Sequence, residues 1–290
     1  VGSVGCPGEC SFCSVFIHQG RIVQSRTPES LYLEALKLSK HPDFKGTFTD
    51  IGGATANLFL SSCKVWNQGG FCKERQCLMP EKCPNLKLDY KKLMVVYQNI
   101  KNIPNVKHVF IQSGLRYDLL VDVEDCEEFL EYICKNNISG RMKIAPEHTD
   151  EKVLRLMNKP SYSIYKKFKL LFRKINKNLK KQIFLVNYYI TSHPGTDIEK
   201  AVNMGLHCAN KNVMPEQIQD FIPLPMTVSS AMYYTKEHPL TGEKIYVPDD
   251  IEERQMQRAL VQYKNKDSER YIKKALQKIK KIYLFNKFVR

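Results

Sequence analysis

The sequence predicts an α/β fold: an open or partial barrel of parallel strands, with a cysteine-rich insert and a helical C-terminal extension. Three observations predict it. Short runs rich in β-branched and aromatic residues alternate with longer helical patterns as far as residue 222. One stretch, residues 58–88, breaks that rhythm, keeps no sustained period and holds four cysteines. From about Pro239 a turn-rich loop, HPLTGEKIYVPDD, gives way to two helical patterns.

Taken in order, residues 1–4 form the stub of a first strand, and further strands are expected at 46–51, 106–112, 140–145, 183–190 and 217–222. Helices are expected at 28–40, 89–102, 124–136, 149–157, 161–180 and 197–211, then at 249–263 and 268–285. Thr27 followed by Pro28 reads as a cap with proline in the first turn, and Asp89 reads as a second helix start. Strand, helix and strand at this spacing imply parallel strands joined by right-handed crossovers. Six such units make a partial barrel related to the TIM architecture, with ligands beyond the carboxyl ends of the strands. The expected domains are a core at 1–238, carrying the insert at 58–88, and an extension at 239–290.

With 43% hydrophobic and 26% charged residues in 290, the chain has the composition of a globular protein rather than a disordered one. No apolar run approaches the roughly 18 residues of a membrane-spanning helix, and no signal peptide is visible, so the expected compartment is the cytoplasm, without a membrane partner. There is no initiator Met and the first cysteine motif begins at residue 6, as expected of a piece of a longer chain. The net charge of +15 is concentrated in two places. Residues 152–196 carry eleven Lys and Arg and no acid, and residues 261–290 carry ten against two acids.

Ten cysteines in a reducing compartment point to metal or redox chemistry rather than to bridges. Cys126, Cys134 and Cys208 fall on expected helices and read as buried thiols. Cys6, Cys10 and Cys13 sit within eight residues, GCPGECSFCS, at spacing C-x3-C-x2-C. Structural zinc takes four ligands in two pairs, and a ferredoxin run also supplies four thiolates at other spacings. Three thiolates instead suit an iron–sulfur cluster whose last iron binds a substrate or cofactor, although zinc and a chance cluster of cysteines stay open. Cys63, Cys72, Cys77 and Cys83, spaced C-x8-C-x4-C-x5-C, are four thiolates able to close a tetrahedral zinc or a second iron–sulfur cluster. The bland alternative is four thiols in a flexible loop.

The motif C-x3-C-x-aromatic-C, with Phe12 before Cys13, resembles the signature of radical S-adenosylmethionine (SAM) enzymes. "GRIVQSR", "DIGGATAN", "SGLRYD", "KIAPEHT", "SHPGT", F-x-P-x-P at 221–225 and "MYYT" together resemble the YgiQ family within that superfamily, in order from residue 1 to about 280. The resemblance implies a radical SAM barrel. In it Cys6, Cys10 and Cys13 hold a 4Fe–4S cluster whose fourth iron chelates SAM, and reductive cleavage yields a 5′-deoxyadenosyl radical that acts on a substrate. It further implies that Phe12 helps cover the adenine, that Gly52 and Gly53 bring backbone against the methionine end, and that Glu147 lies near the ribose. Ala54 replaces the usual acidic residue after those glycines. An electron donor of the flavodoxin or ferredoxin type is the implied partner.

Asp50, Asn57, Arg116, Asp118, Glu147, His148 and His193 fall at or just beyond expected strand ends. Each either caps and pairs locally or contacts SAM or substrate. Arg116 suits a carboxylate or phosphate, and Arg116, Glu147 and His193 are the candidate catalytic groups. At 162–179, Tyr165, Phe168, Phe172, Ile175 and Leu179 recur at helical spacing, leaving a lysine-rich outer face. That face is either simply solvated or a surface for RNA or another polyanion. Beside the enzyme stand two alternatives of other classes, a zinc-dependent nucleic-acid-binding protein without catalysis and a non-catalytic iron–sulfur or electron-transfer protein.

Overall fold

The structure, a computed structural model, describes residues 1–211 and 214–288. In chain order its elements are β1 (Ser3–Val4), α1 (Val15–Gln19), β2 (Gln24–Ser25), α2 (Pro28–Leu38), β3 (Thr47–Phe48), α3 (Lys64–Asn67), α4 (Tyr90–Lys101) and β4 (His108–Val109). There follow α5 (Cys126–Asn136), β5 (Arg141–Glu147), α6 (Glu151–Leu156), α7 (Tyr162–Leu179), β6 (Phe184–Thr191), α8 (Ile198–Ala209), β7 (Gln217–Asp220), α9 (Val228–Thr235), α10 (Ile251–Val261) and α11 (Ser268–Lys278). The parallel α/β class is as expected: β3 pairs with β4 in parallel, β6 with β7, and an isolated parallel bridge joins Leu115 to Ile144. The strands β5, β6 and β7 lie in that order in one sheet.

The chain divides into two compact units, and β5 and β6 each begin in the first and end in the second. The first comprises Val1–Glu9, Val15–Ala145 and Ser163–Leu185. Its helices start where capping chemistry places them. Thr27 accepts from the Ser30 amide at 3.1 Å ahead of Pro28, and Asp89 accepts from the Lys92 amide at 2.9 Å. The core is aromatic. Tyr90 stacks on Phe129 at 4.4 Å and gives its hydroxyl proton to the Leu119 carbonyl at 2.6 Å. Tyr165, Phe168, Phe172 and Ile175 of α7 are buried, so the apolar stripe read in the sequence is a packing face. Leu179, at its end, is only half-buried. Strands β3 and β4 are shorter than expected because Asp50 ends their ladder. Its carboxylate accepts from the Gln112 amide at 3.1 Å and the Ser113 amide at 2.5 Å, where a further strand carbonyl would have stood.

The second unit comprises Cys10–Ser14, Pro146–Tyr162 and Val186–Arg290. Its core joins α8, α10 and α11 through Ile198, Val202, Met204, Leu260, Ile272 and Leu276, all nearly inaccessible. Side chains of this size each contribute about 1.5–3 kcal/mol when buried. At Gly205 a β-carbon would lie 2.6 Å from the Leu260 carbonyl oxygen, so α8 and α10 cross at glycine distance. The helix expected at 268–285 breaks. Lys280 is left-handed (φ +57°), the Lys281 amide returns to Leu276, and Ile282–Lys287 winds as a 3-10 turn. Four short elements, α1, β2, α3 and α9, went unread; β2 pairs antiparallel with β1.

Candidate functional site

Cys10, Ser11, Phe12 and Cys13 form a tight loop in the second unit. The Cys13 amide donates to the Cys10 carbonyl at 2.9 Å. Both main-chain groups of Ser11 are used: its amide donates to Met157 O and its carbonyl accepts from the Ser229 amide, each at 2.9 Å. The Phe12 ring stands edge-on to the imidazole of His193 at 6.2 Å. His193 follows β6 and is inaccessible, held between Phe221 and Ser229. Its Nδ1 lies 2.8 Å from the Pro194 carbonyl, which only accepts, so Nδ1 carries the proton and Nε2 accepts from the Ser229 hydroxyl at 2.7 Å. Burial pushes the His193 pKa down to about 3, against a smaller upward effect of the Pro194 carbonyl, so the ring is neutral at working pH. "SHPGT", F-x-P-x-P, "MYYT" and the cysteine loop thus meet around one imidazole, Tyr233 of "MYYT" reaching it through Phe221.

Glu147, at the end of β5, is buried and left-handed (φ +65°), a conformation that costs a non-glycine residue of order 1–3 kcal/mol. His148 beside it is inaccessible. Its Nδ1 accepts from the Asp150 amide at 3.0 Å, while Nε2 is buried without a hydrogen-bond partner. Burial first, then the Lys200 charge, pushes its pKa down to about 3.

In the first unit the Cys6 amide donates to Gly20 O at 3.0 Å. Gly5 is left-handed (φ +88°), and a β-carbon there would sit 2.0 Å from the Ile22 carbonyl oxygen. A β-carbon on Gly8 would lie 2.3 Å from a terminal nitrogen of Arg116 and 3.2 Å from the Cys6 sulfur, so this guanidinium and this thiol flank the same glycine. Arg116 is already engaged: its fork grips Asp118, with Nε to Oδ1 at 3.1 Å and a terminal nitrogen to Oδ2 at 2.6 Å. Asn57 pairs with the backbone of Arg116 in both directions at 2.9 Å, as a neighbouring strand would. Gly52 and Gly53 take φ of +85° and +153° against Val1 and Ser3.

The insert belongs to the first unit as well. Cys63, Cys72, Cys77 and Cys83 line one small cavity with Trp66 and Leu86. Burial pushes the Cys77 thiol up to about 11. Arg21 opposes that shift, while Cys83, Glu9 and Cys63 reinforce it. None of the ten cysteines is in a disulfide, and Cys126, Cys134 and Cys208 are buried on α5 and α8 as expected. Among the described residues no three His, Cys, Asp or Glu side chains converge closely enough to ligate one ion. A cubane, by contrast, spreads its thiolates over separate irons. The donor set suits it: Cys6, Cys10 and Cys13 are all partly exposed thiols.

Reasoning from sequence missed Ser229 as the partner of His193, Asp118 as the occupant of Arg116, and Arg21 at the insert. Only Thr-x-x-Ser at 227–230 carried a readable signal, the cap of α9, where Thr227 accepts from the Ser230 amide.

Comparison with known proteins defines the class. The radical SAM superfamily profile matches residues 1–204, and this chain belongs to that superfamily of enzymes. A domain of unknown function, DUF3362, matches residues 216–284. The chain is 44% identical over 272 residues to a UPF0313 protein of Methanocella arvoryzae, covering 94% of this chain and 45% of that one. A UPF0313 protein of Clostridium botulinum (strain Okra / Type B1) is also 44% identical, with 42% of it covered, and one of Methanosarcina mazei is 43% identical, with 43% covered. The chain therefore spans under half the length of these relatives. Among solved structures it is similar to coproporphyrinogen III oxidase from Escherichia coli, described as a radical SAM enzyme (TM-score 0.48, 13% identity, covering 88% of this chain and 56% of that one). No described helix is long and apolar enough to cross a membrane.

Proposed function

We propose that this chain is the core of a YgiQ-type enzyme that cleaves SAM reductively and acts on a substrate in the cytoplasm. Cys6, Cys10 and Cys13 would hold the 4Fe–4S cluster. With SAM bound, that group supplies reductive cleavage of the sulfonium and hydrogen-atom abstraction by the 5′-deoxyadenosyl group. The carrying observation is the superfamily match across residues 1–204, which contains the three-thiol loop. The non-catalytic zinc protein is not favoured by it.

The chain's own residues then divide the work. Phe12 covers the adenine, Gly52 and Gly53 offer main chain to the methionine end, and Glu147 faces the ribose. His193, neutral and locked in one tautomer, keeps the Phe12 side of the loop dry. Arg116 with Asp118 forms a neutral pair beside Cys6, so the guanidinium can bind an anionic group only by sharing or leaving that partner. Residues 1–238 make the SAM-binding core and 239–290 an extension. A flavodoxin- or ferredoxin-type protein supplies the electron. The lysine face of α7 serves as a weak polyanion surface, with Lys167 and Lys174 already paired to Asp122 and Glu127.

The test is anaerobic reconstitution with iron and sulfide, then dithionite and SAM. About four irons attributable to this loop and formation of 5′-deoxyadenosine are expected. The Cys6→Ala, Cys10→Ala, Cys13→Ala triple variant should make none. Cleavage by that variant at the parent's rate would falsify the reading.

A further inference from the structure

We propose that Cys63, Cys72, Cys77 and Cys83 form a structural, tetrahedral four-thiolate zinc site that holds the insert together. The proposal does not rest on SAM chemistry. All four side chains line one cavity, although Cys63 and Cys83 stand twenty positions apart. Two of them are buried: Cys63 just before the short helix α3, and Cys83, whose amide donates to the Cys77 carbonyl at 2.8 Å. Cys72 and Cys77 lie on partly exposed loop and bend segments, outside any helix or strand.

The segment needs such a staple. From Gln68 to Leu88 there is no helix, and the one strand-like contact is the bridge from Ser62 to Lys87. Its apolar anchorage is one cluster of Val23, Leu58, Trp66, Leu78, Leu86 and Leu119, with the Cys63 and Cys83 thiols themselves buried in it. A core that small does not order a loop of this length alone, which is where natural domains recruit a metal.

The surroundings suit the charge. Four thiolates around Zn²⁺ leave a net charge of −2. Arg21 spans the site from outside, donating to the carbonyls of Cys72 at 3.3 Å and Arg75 at 3.2 Å, and its cation acts on Cys77. The Arg21 Nε–H is buried without an acceptor, so a donor is available for a thiolate sulfur. Glu9 pairs with the same guanidinium at 2.7 Å and fixes its position. Four cysteines that line one cavity and leave no coordination place open are the structural zinc pattern. The sulfurs do not yet meet at one point. Binding therefore turns the Cys72 and Cys77 side chains inward while the four thiols release four protons to solvent.

The experiment uses the full 290-residue chain carrying Cys6→Ala, Cys10→Ala and Cys13→Ala, so that loss of the SAM site and loss of the insert site are distinguishable. About one zinc per chain is expected, with little iron. Cobalt(II) exchanged into it should give the intense thiolate-to-cobalt absorption of a tetrahedral site. Adding Cys72→Ser or Cys77→Ser should remove the zinc, and Arg21→Met should weaken its retention roughly 10–100-fold, as loss of an outer hydrogen bond does. Because the serine variants could simply misfold, a second measurement uses the unchanged chain. Its four insert thiols should resist alkylation until a chelator is added, and then react together. Absence of metal in the triple variant, iron in place of zinc, or thiols equally reactive with and without chelator overturns the proposal.

Discussion

The two cysteine groups use the same side chain in opposite settings. In the first, the polypeptide is finished before any metal arrives. Gly5 makes its turn, Ser11 has both main-chain partners, and Phe12 leans on a neutral His193. In the insert the polypeptide is unfinished, with one helical turn, one bridge and few apolar anchors around a cavity edged by sulfur. A loop that is ordered by protein can leave a coordination place open for chemistry. A loop ordered by its metal uses every ligand for structure. The difference teaches that cysteine count is less informative than how much of the surrounding backbone is already satisfied.

The largest expected effect comes from Gly5→Ala. Its β-carbon would meet a backbone oxygen at 2.0 Å, and φ is +88°, so neither the turn nor the neighbour can yield cheaply. Iron content and SAM cleavage should fall to background while zinc in the insert stays at the parent level. Joint loss of both metals would break the contrast.

Next comes acid. His148 and His193 are neutral when folded, with pKa values pushed down to about 3, and they take up protons on unfolding below their ordinary value of 6.5. Their contribution to stability is therefore complete above about pH 6.5 and is lost as pH falls toward 3. The melting temperature of the metal-free chain should drop along that limb, and His193→Asn should flatten it. A limb unchanged by that variant would remove His193 as its source.

The smallest effect concerns α7. Changing Lys166, Lys169, Lys174 and Lys177 to Ser should weaken tRNA binding modestly and flatten its salt dependence, leaving both metals in place. Binding that is absent at low salt, or indifferent to the four changes, sinks the polyanion surface.

Most of the fold was legible because its signals are local. Thr27-Pro28 and Asp89 cap the helices they announced, and the apolar stripe of α7 is buried. The C-x3-C-x2-C loop stood out because its three cysteines sit within eight residues. What stayed hidden depends on partners far apart in sequence. Asp118 was quoted beside Arg116, but its grip on the guanidinium is a matter of rotamer, which no spacing encodes. Ser229 meets His193 across 36 residues, and Arg21 meets Cys72 across 51. Strand ends were overextended because an aspartate side chain imitates a carbonyl at Asp50.

The main chain of Ser11 has one further consequence. Since its amide and carbonyl are bonded to Met157 and Ser229, loss of the iron proposed for this loop would leave those bonds intact. The emptied loop is then a template awaiting refilling, not a misfolded segment exposed to proteolysis. Damage at this centre becomes repairable at the level of the inorganic group, and amide exchange at Ser11 and Ser229 should be equally slow before and after it.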